Sequence, residues 1–200
     1  MSTSKSRANL PSQADLAFST PLNFLYCNGP IMFRTQGALD MACLLENDPN
    51  VISWYCDPPP LFNERQQHQP DFLVVTKTGH LLLDVFEYVY PPQWAEDAAK
   101  ARSDFYQVID VCHLPRTRLR NAKDLQRYAG REVALGDRVR LLIALGKKPF
   151  LTVEQAYKLF LDTEPMAGLA SLVLQRFVSI DMDDEPIGPK SKVRLWTEQG

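Results

Sequence analysis

Residues 70–90, PDFLVVTKTGHLLLDVFEYVY, contain two apolar runs separated by a short polar turn. The runs, Phe72–Thr76 and His80–Tyr90, are rich in Val, Phe and Tyr, which favour a half-buried pleated surface. Gly79 ends the turn and can adopt the positive φ that a tight hairpin needs. The stretch therefore predicts a β-hairpin, around which the rest of the chain is arranged.

Two aspartates make this hairpin the first candidate functional site. Asp71 stands before the first strand, and Asp84 lies inside the apolar run of the second. A buried carboxylate is costly unless it is paired or bound to a cation, so each of these acids needs a partner. The histidines lack a regular spacing, and we expect His68 to be solvated because its loop is polar and rich in Gln.

Composition indicates a globular, intracellular protein. The 200 residues are 45% apolar and 23% charged, which is enough for one large or two small domains. No apolar run approaches a membrane span, and the first residues lack a secretory apolar region. The four cysteines form no C-x-x-C pair, which indicates reduced thiols rather than a disulfide framework or a zinc site. We expect a cytoplasmic location and neither a membrane nor a small-molecule partner.

The net charge of −2 conceals a basic segment. Half of the 22 basic residues lie between residues 113 and 160, and this clustering favours a polyanionic partner such as DNA. A solvated helical face is the alternative. The predicted phosphate contacts are Arg116, Arg118, Arg120, Lys123, Arg127 and Arg131.

Pattern and turn residues divide the chain into a flexible tail (1–20), an α/β domain (21–133) and a smaller α+β domain (134–200). Thr35 caps a predicted helix that runs to Glu46. The other elements predicted for the larger domain are strand Val51–Tyr55, the hairpin, helix Pro91–Asp104, strand Tyr106–Cys112 and helix Asn121–Ala129.

The smaller domain has the element order of a winged helix. Three predicted helices, the last at Pro165–Gln175, precede two short strands at Val178–Met182 and Val193–Trp196. In such a domain the third helix is offered to the DNA major groove. The residues expected to contact DNA here are Gln175, Arg176, Lys190 and Lys192. The alternative is a packing or partner-docking module, because most of the third helix is apolar.

Short motifs follow one another along residues 34–131: Leu45–Val51 (LENDPNV), Asp57-Pro58, Pro70-Asp71-Phe72, Asp84-Val85-Phe86, and an Asn121…Leu125…Tyr128 helix. In this order they resemble the catalytic domain of TnsA-type transposon endonucleases, which cut transposon ends in partnership with a transposase. The C-terminal part of the chain is similar to the small helical domain that often follows the catalytic domain in this family. The resemblance implies a mixed-sheet core of the restriction-endonuclease type with flanking helices, followed by the winged-helix-like domain.

Two departures from the family pattern bear on activity. Ala38 stands where the family has a metal-binding glutamate, and Phe86 stands where it has a lysine. The resemblance then implies that Asp71 and Asp84 hold Mg²⁺ or Mn²⁺ weakly or vestigially, since hard cations prefer several oxygen ligands. It also implies that Ala38 and Phe86 converge with the two aspartates at one end of the sheet.

Three functions follow from these expectations. The first is an accessory protein of bacterial DNA transposition that binds DNA, a transposase or both without cutting. The second is a working Mg²⁺-dependent endonuclease, with Glu96 and Lys100 on the helix after the hairpin replacing the missing side chains. A surface ion pair is the simpler interpretation of those two residues. The third is a protein-interaction module without DNA contact.

Overall fold

The computed structural model describes residues 22–64, 66–102 and 104–197 and shows a mixed α/β protein. The predicted flexible tail, residues 1–20, lies outside these residues. Among the described helices, none combines the length and the apolar character needed to cross a membrane.

The predicted hairpin forms the centre of a four-stranded mixed sheet. Its strands are β1 (Val51–Cys56), β4 (Phe72–Thr76), β5 (Gly79–Phe86) and β6 (Phe105–Asp110). Their order is β1-β4-β5-β6; the first three are antiparallel, and β6 is parallel to β5. A small hairpin, β2 (Leu61–Asn63) and β3 (Gln66–His68), is inserted between β1 and β4.

The second strand of the hairpin is shorter than predicted. It ends at Phe86, and the aromatic residues that follow it, up to Tyr90, are exposed. Their composition favours a strand, but no strand among the described residues pairs with them. Gly79 has a φ of 140°, as the tight turn requires.

Three helices flank this sheet. They are α1 (Gln36–Glu46), α2 (Ala95–Ala101) and α3 (Arg116–Gln126). The Thr35 hydroxyl accepts a hydrogen bond from the Ala38 N–H at 3.0 Å, which confirms the predicted cap of α1. The second helix is shorter than predicted, and the third begins five residues before the predicted start at Asn121, directly after the extended Pro115.

Residues 134–197 add three helices and a three-stranded sheet. The elements are α4 (Leu135–Gly146), β7 (Leu151–Thr152), α5 (Val153–Tyr157), α6 (Pro165–Leu174), β8 (Val178–Ile180) and β9 (Lys192–Leu195). The sheet is antiparallel with the order β7-β9-β8. The three predicted helices and two strands are thus present, and β7 is an additional strand. A capping box between Thr152 and Gln155 starts α5.

The two segments share one hydrophobic core. A single apolar cluster extends from Trp54 and Phe72 in the first segment to Leu172 and Val193 in the second. A smaller cluster, on the α2 side of the sheet, contains Leu82 and the inward-facing alanines of α2. The predicted boundary at residue 133 falls between α3 and α4, but the apolar packing continues across it.

Candidate functional site

The two predicted acids lie side by side at one end of the hairpin. Phe72 pairs with Leu83, and this register places Asp71 opposite Asp84 on the neighbouring strand. Both line a cleft of about 300 Å³, together with Arg34, His68 and Tyr90. We call this the acid cleft. The strand register therefore brings the two predicted aspartates into one cleft.

Both carboxylate oxygens of Asp71 have partners within the protein. Nη2 of Arg34 donates to Oδ1 at 2.9 Å, and the Val85 N–H donates to Oδ2 at 2.8 Å. Burial raises the pKa of Asp71, although Arg34 and the Val85 N–H both oppose that shift. Arg34 thus supplies the positive charge that the sequence argument assigned to a metal ion.

Asp84 belongs to a buried hydrogen-bond network. The Tyr106 hydroxyl donates to Oδ2 of Asp84 at 2.5 Å, and Nε2 of His68 lies 2.7 Å from the same oxygen. The edge of the His68 ring faces Trp94, with 6.4 Å between ring centroids. Burial, followed by the hydrogen bond to Asp84, raises the pKa of Tyr106. The expectation of a solvated His68 is wrong, because Asp84 and Trp94 enclose its ring.

The hydrogen bonds around the two acids compete with the binding of Mg²⁺ or Mn²⁺. Such an ion needs several oxygen ligands with available lone pairs. Here a guanidinium contacts one oxygen of Asp71 and a backbone N–H contacts the other, while the Tyr106 hydroxyl and Nε2 of His68 both contact Oδ2 of Asp84. Protein groups therefore contact oxygens of both carboxyl groups in the cleft.

Ala38 does not join the aspartates as expected, whereas Phe86 lies on the same strand face as Asp84. Ala38 is 1% exposed and packs in the large core with Leu83 and Val85, on the α1 side of the sheet. Side chains alternate along a strand, so Asp84 and Phe86 point to the other side. Phe86 packs edge-on against Tyr90, with 5.2 Å between centroids. The expected convergence therefore fails at Ala38, which lies on the opposite side of the sheet from Asp84 and Phe86.

Glu96 and Lys100 lie on the solvent side of α2. Their side chains form an i,i+4 ion pair at 2.8 Å, and both are more than half exposed. The buried Ala95 and Ala99 occupy the face of α2 that packs on the sheet. Glu96 and Lys100 therefore form a surface ion pair, the simpler of the two interpretations of these residues. Neither residue lines the acid cleft.

The basic residues of α3 separate into structural and exposed groups. Arg118 contacts Asp183 at 2.9 Å, and Lys123 contacts Asp40 at 2.7 Å, so both connect α3 to other elements. By contrast, Arg116 and Arg120 are exposed and form no salt bridge with the described residues. Arg127 is exposed with a 3.4 Å contact to Asp124, and Arg131, after the helix, is exposed as well.

The residues predicted to read DNA from the third helix of the smaller domain are engaged internally. Residues 168–174 of α6 are all buried. Nε2 of Gln175 donates to the Ser171 hydroxyl at 2.7 Å. Arg176 donates to the Asp48 carbonyl at 3.0 Å, and its guanidinium lies 3.8 Å from the centre of the Tyr26 ring. These contacts favour the alternative in which α6 packs inside the protein.

The two remaining candidates are on the surface. Lys190 and Lys192 are exposed, and Nζ of Lys192 lies 5.0 Å from the centre of the Phe150 ring. Sequence reasoning missed Arg34 and Tyr106, which lie far from Asp71 and Asp84 in the chain. Neither has a local motif that would have identified it.

The chain matches no protein-family model, and comparison with curated proteins finds no significant relative. Its function is therefore argued from the geometry described above.

Proposed function

We propose that the chain is a TnsA-like accessory protein of DNA transposition that binds DNA and does not cut it. The observation that carries the binding part of the proposal is a row of exposed arginines on α3. The arrangement of donors around Asp71 and Asp84 supports the absence of cleavage.

The element order is consistent with the proposed family. Leaving the β2–β3 insertion aside, helix α1, strands β1, β4 and β5, helix α2 and strand β6 follow one another around a mixed sheet. This is the layout we expect of a restriction-endonuclease-like domain. In the second segment, α4, β7, α5, α6, β8 and β9 follow the order of a winged helix. We propose these two folds for the two segments.

Arg116, Arg120 and Arg127 form what we call the arginine stripe. Their spacings of four and seven residues put them on one face of α3, opposite the buried Ala122 and Leu125. With a rise of about 1.5 Å per residue, the stripe is roughly 16 Å long. Guanidinium groups in such a row can contact several phosphates without reading the base sequence.

The salt dependence of DNA binding tests this assignment. Each phosphate neutralised by the protein contributes about −0.9 to the slope of log K against log salt for duplex DNA. We expect the variant R116A/R120A/R127A to bind more weakly and to show a slope shallower by up to about 2.7. A control variant, K147A/K148A/K158A, removes the same charge from exposed lysines just after α4 and α5 and should keep the wild-type slope.

Equal losses of DNA affinity in the two variants would show a general charge effect and would contradict the role of the arginine stripe.

The wild-type protein should also leave supercoiled plasmid intact with Mg²⁺ or Mn²⁺. Metal-dependent nicking that Asp71→Ala abolishes would replace the proposal with the endonuclease alternative.

A protein-interaction module without DNA contact is the second candidate. Leu135, Val139 and Ile143 are exposed large apolar residues at successive four-residue spacings on α4. This forms an apolar row on one helix face, of the kind that contacts other proteins. Absence of DNA binding even at low salt, together with loss of transposase binding in Val139→Asp, would favour this second function.

A further inference from the structure

A cluster of three metal-ligating side chains lies outside the acid cleft, where β6 ends. Asp110 is the last residue of β6, and Cys112 and His113 lie in the short 3₁₀ turn Val111–His113 that follows. One ligand atom from each side chain lies within 4.8 Å of the other two. Cys112 and His113 are exposed, so an ion from solution can reach them.

The spacing of the sulfur and nitrogen atoms matches two ligands of one zinc ion. Sγ of Cys112 and Nδ1 of His113 are 3.6 Å apart. With Zn–S near 2.3 Å and Zn–N near 2.0–2.1 Å, a tetrahedral angle separates the two ligand atoms by roughly 3.6 Å. The two side chains therefore need little movement to bind the same ion.

Asp110 holds the turn in this shape and supplies the third donor. Its Oδ1 accepts a hydrogen bond from the Cys112 N–H at 2.8 Å, which caps the turn. A carboxylate oxygen of Asp110 lies within 4.8 Å of both the sulfur and the imidazole nitrogen. A donor set of one sulfur, one imidazole nitrogen and one carboxylate oxygen suits Zn²⁺ better than Mg²⁺ or Ca²⁺.

We infer that Asp110, Cys112 and His113 form a binding site for Zn²⁺ with one coordination position left for water or an external ligand. Three protein ligands with an open position are the ligand count of zinc sites that bind further groups. Two of the three ligands, Asp110 and His113, also line a cleft of about 610 Å³ between α1 and β6. The site is independent of the proposed DNA-binding function.

This inference revises the expectation that the cysteines bind no zinc. That expectation rested on the missing C-x-x-C pair, whereas here a single cysteine combines with its neighbour His113 and with Asp110. On binding, the Cys112 thiol loses its proton to solvent and the thiolate coordinates the ion, so about one proton should be released per zinc bound.

Thiol reactivity gives a direct test, because Cys112 is the exposed cysteine, whereas Cys43 and Cys56 are buried and Cys27 is half-buried. The full chain, stripped of metal with a chelator, is treated with a chromogenic disulfide reagent. We expect one fast-reacting thiol, absent in Cys112→Ser. One equivalent of Zn²⁺ should slow that reaction about tenfold or more in the wild type.

Two further variants separate a three-ligand site from simple thiol binding. His113→Ala and Asp110→Asn keep the reactive thiol but should weaken zinc protection by at least about tenfold. His80→Ala removes an exposed histidine elsewhere and should retain full protection. Co²⁺ provides a second readout, a thiolate-to-metal charge-transfer absorption that should appear in the wild type and be lost in Cys112→Ser.

Zinc that leaves the rate of Cys112 modification unchanged would overturn the inference. So would equal zinc protection of the wild type and His113→Ala, since this would mean that the thiol binds zinc without the other two residues.

Discussion

The guanidinium of Arg34 lies 2.9 Å from Oδ1 of Asp71, so an arginine just before α1 neutralises the first acid of the hairpin. The two residues differ in exposure: the Asp71 side chain is 11% exposed and that of Arg34 is 44% exposed. The partnership is therefore asymmetric, and the two residues should respond differently to mutation.

Asp71→Ala should destabilise the protein more than Arg34→Ala. Loss of Arg34 removes a partly exposed ion pair, which typically contributes less than about 1 kcal/mol. Loss of the Asp71 side chain also leaves the Val85 N–H without its acceptor, at a cost of about 1–3 kcal/mol. Urea unfolding of the two variants measures the difference. Equal losses of unfolding free energy in the two variants would mean that the hydrogen bond from the Val85 N–H contributes little to stability.

Tyr106→Phe should cost about 1–2 kcal/mol in the free energy of unfolding. The substitution keeps the ring but removes the hydroxyl that donates to the buried Asp84 carboxylate. Tyr88→Phe is the matched control, because Tyr88 is highly exposed and its substitution should change stability by less than about 0.5 kcal/mol. If both variants are as stable as the wild type, Asp84 does not depend on Tyr106.

Glu46 should make stability decrease as pH rises above about 4.3, the ordinary glutamate pKa. It is buried in the core, where its carboxylate accepts hydrogen bonds from the Leu25 and Tyr26 N–H groups and from Nε1 of Trp54. Burial raises its pKa, although these donors oppose the shift. The folded state then holds the proton more tightly than the unfolded state, and this contribution is lost as pH rises through the folded pKa.

Unfolding of wild type and Glu46→Gln across the acid range measures this effect. In Glu46→Gln, stability should not show the decrease with rising pH that we attribute to Glu46, because the amide does not titrate. A parallel pH profile in the two proteins would contradict a raised pKa at this position.

Asp137 should have the opposite pH dependence. It is fully buried on α4 and accepts hydrogen bonds from the Leu161 and Thr163 N–H groups, at 2.8 and 2.7 Å, while also contacting Arg140. Burial acts to raise its pKa, but these donors outweigh burial and hold the pKa well below its usual range. Its contribution is therefore present above the unfolded pKa and is lost as pH falls towards the folded pKa.

Asp137→Ala should destabilise the protein by about 3 kcal/mol near neutral pH, since several buried donors lose their acceptor. Asp162→Ala, which removes an exposed carboxylate that also contacts Arg140, should cost less than about 1 kcal/mol. Thermal or urea unfolding distinguishes the two. A loss for Asp162→Ala as large as that for Asp137→Ala would show that the contact to Arg140 dominates.

Local signals in the sequence were sufficient for the hairpin and for α1. The strand Phe72–Thr76 and the cap at Thr35 appear where they were predicted, because alternation, turn chemistry and capping depend on neighbouring residues. The same local logic failed after Phe86, where residues with strand-like composition lie exposed. Strand composition alone does not specify whether a neighbouring strand is available.

The surroundings of the two acids could not be predicted because they depend on long-range contacts. Arg34 reaches Asp71 across 37 positions, and Tyr106 reaches Asp84 across 22. The basic run was visible in the sequence, but only the packing distinguishes Arg118, tied to Asp183, from the exposed Arg120. For α6, the apolar composition was more informative than the winged-helix order of elements, because residues 168–174 of the helix are buried.

The buried side of α3 connects the two halves of the protein through side-chain hydrogen bonds. Nδ2 of Asn121 donates to the carbonyls of Met182 and Glu185, and its Oδ1 accepts from the Ile187 N–H. Gln126, one turn further along, donates to the Asn23 carbonyl. A ligand held along the outer side of α3 would thus have a fixed bearing relative to the β7-β9-β8 sheet. A partner bound to either half is therefore oriented relative to α3, and through α3 relative to the other half.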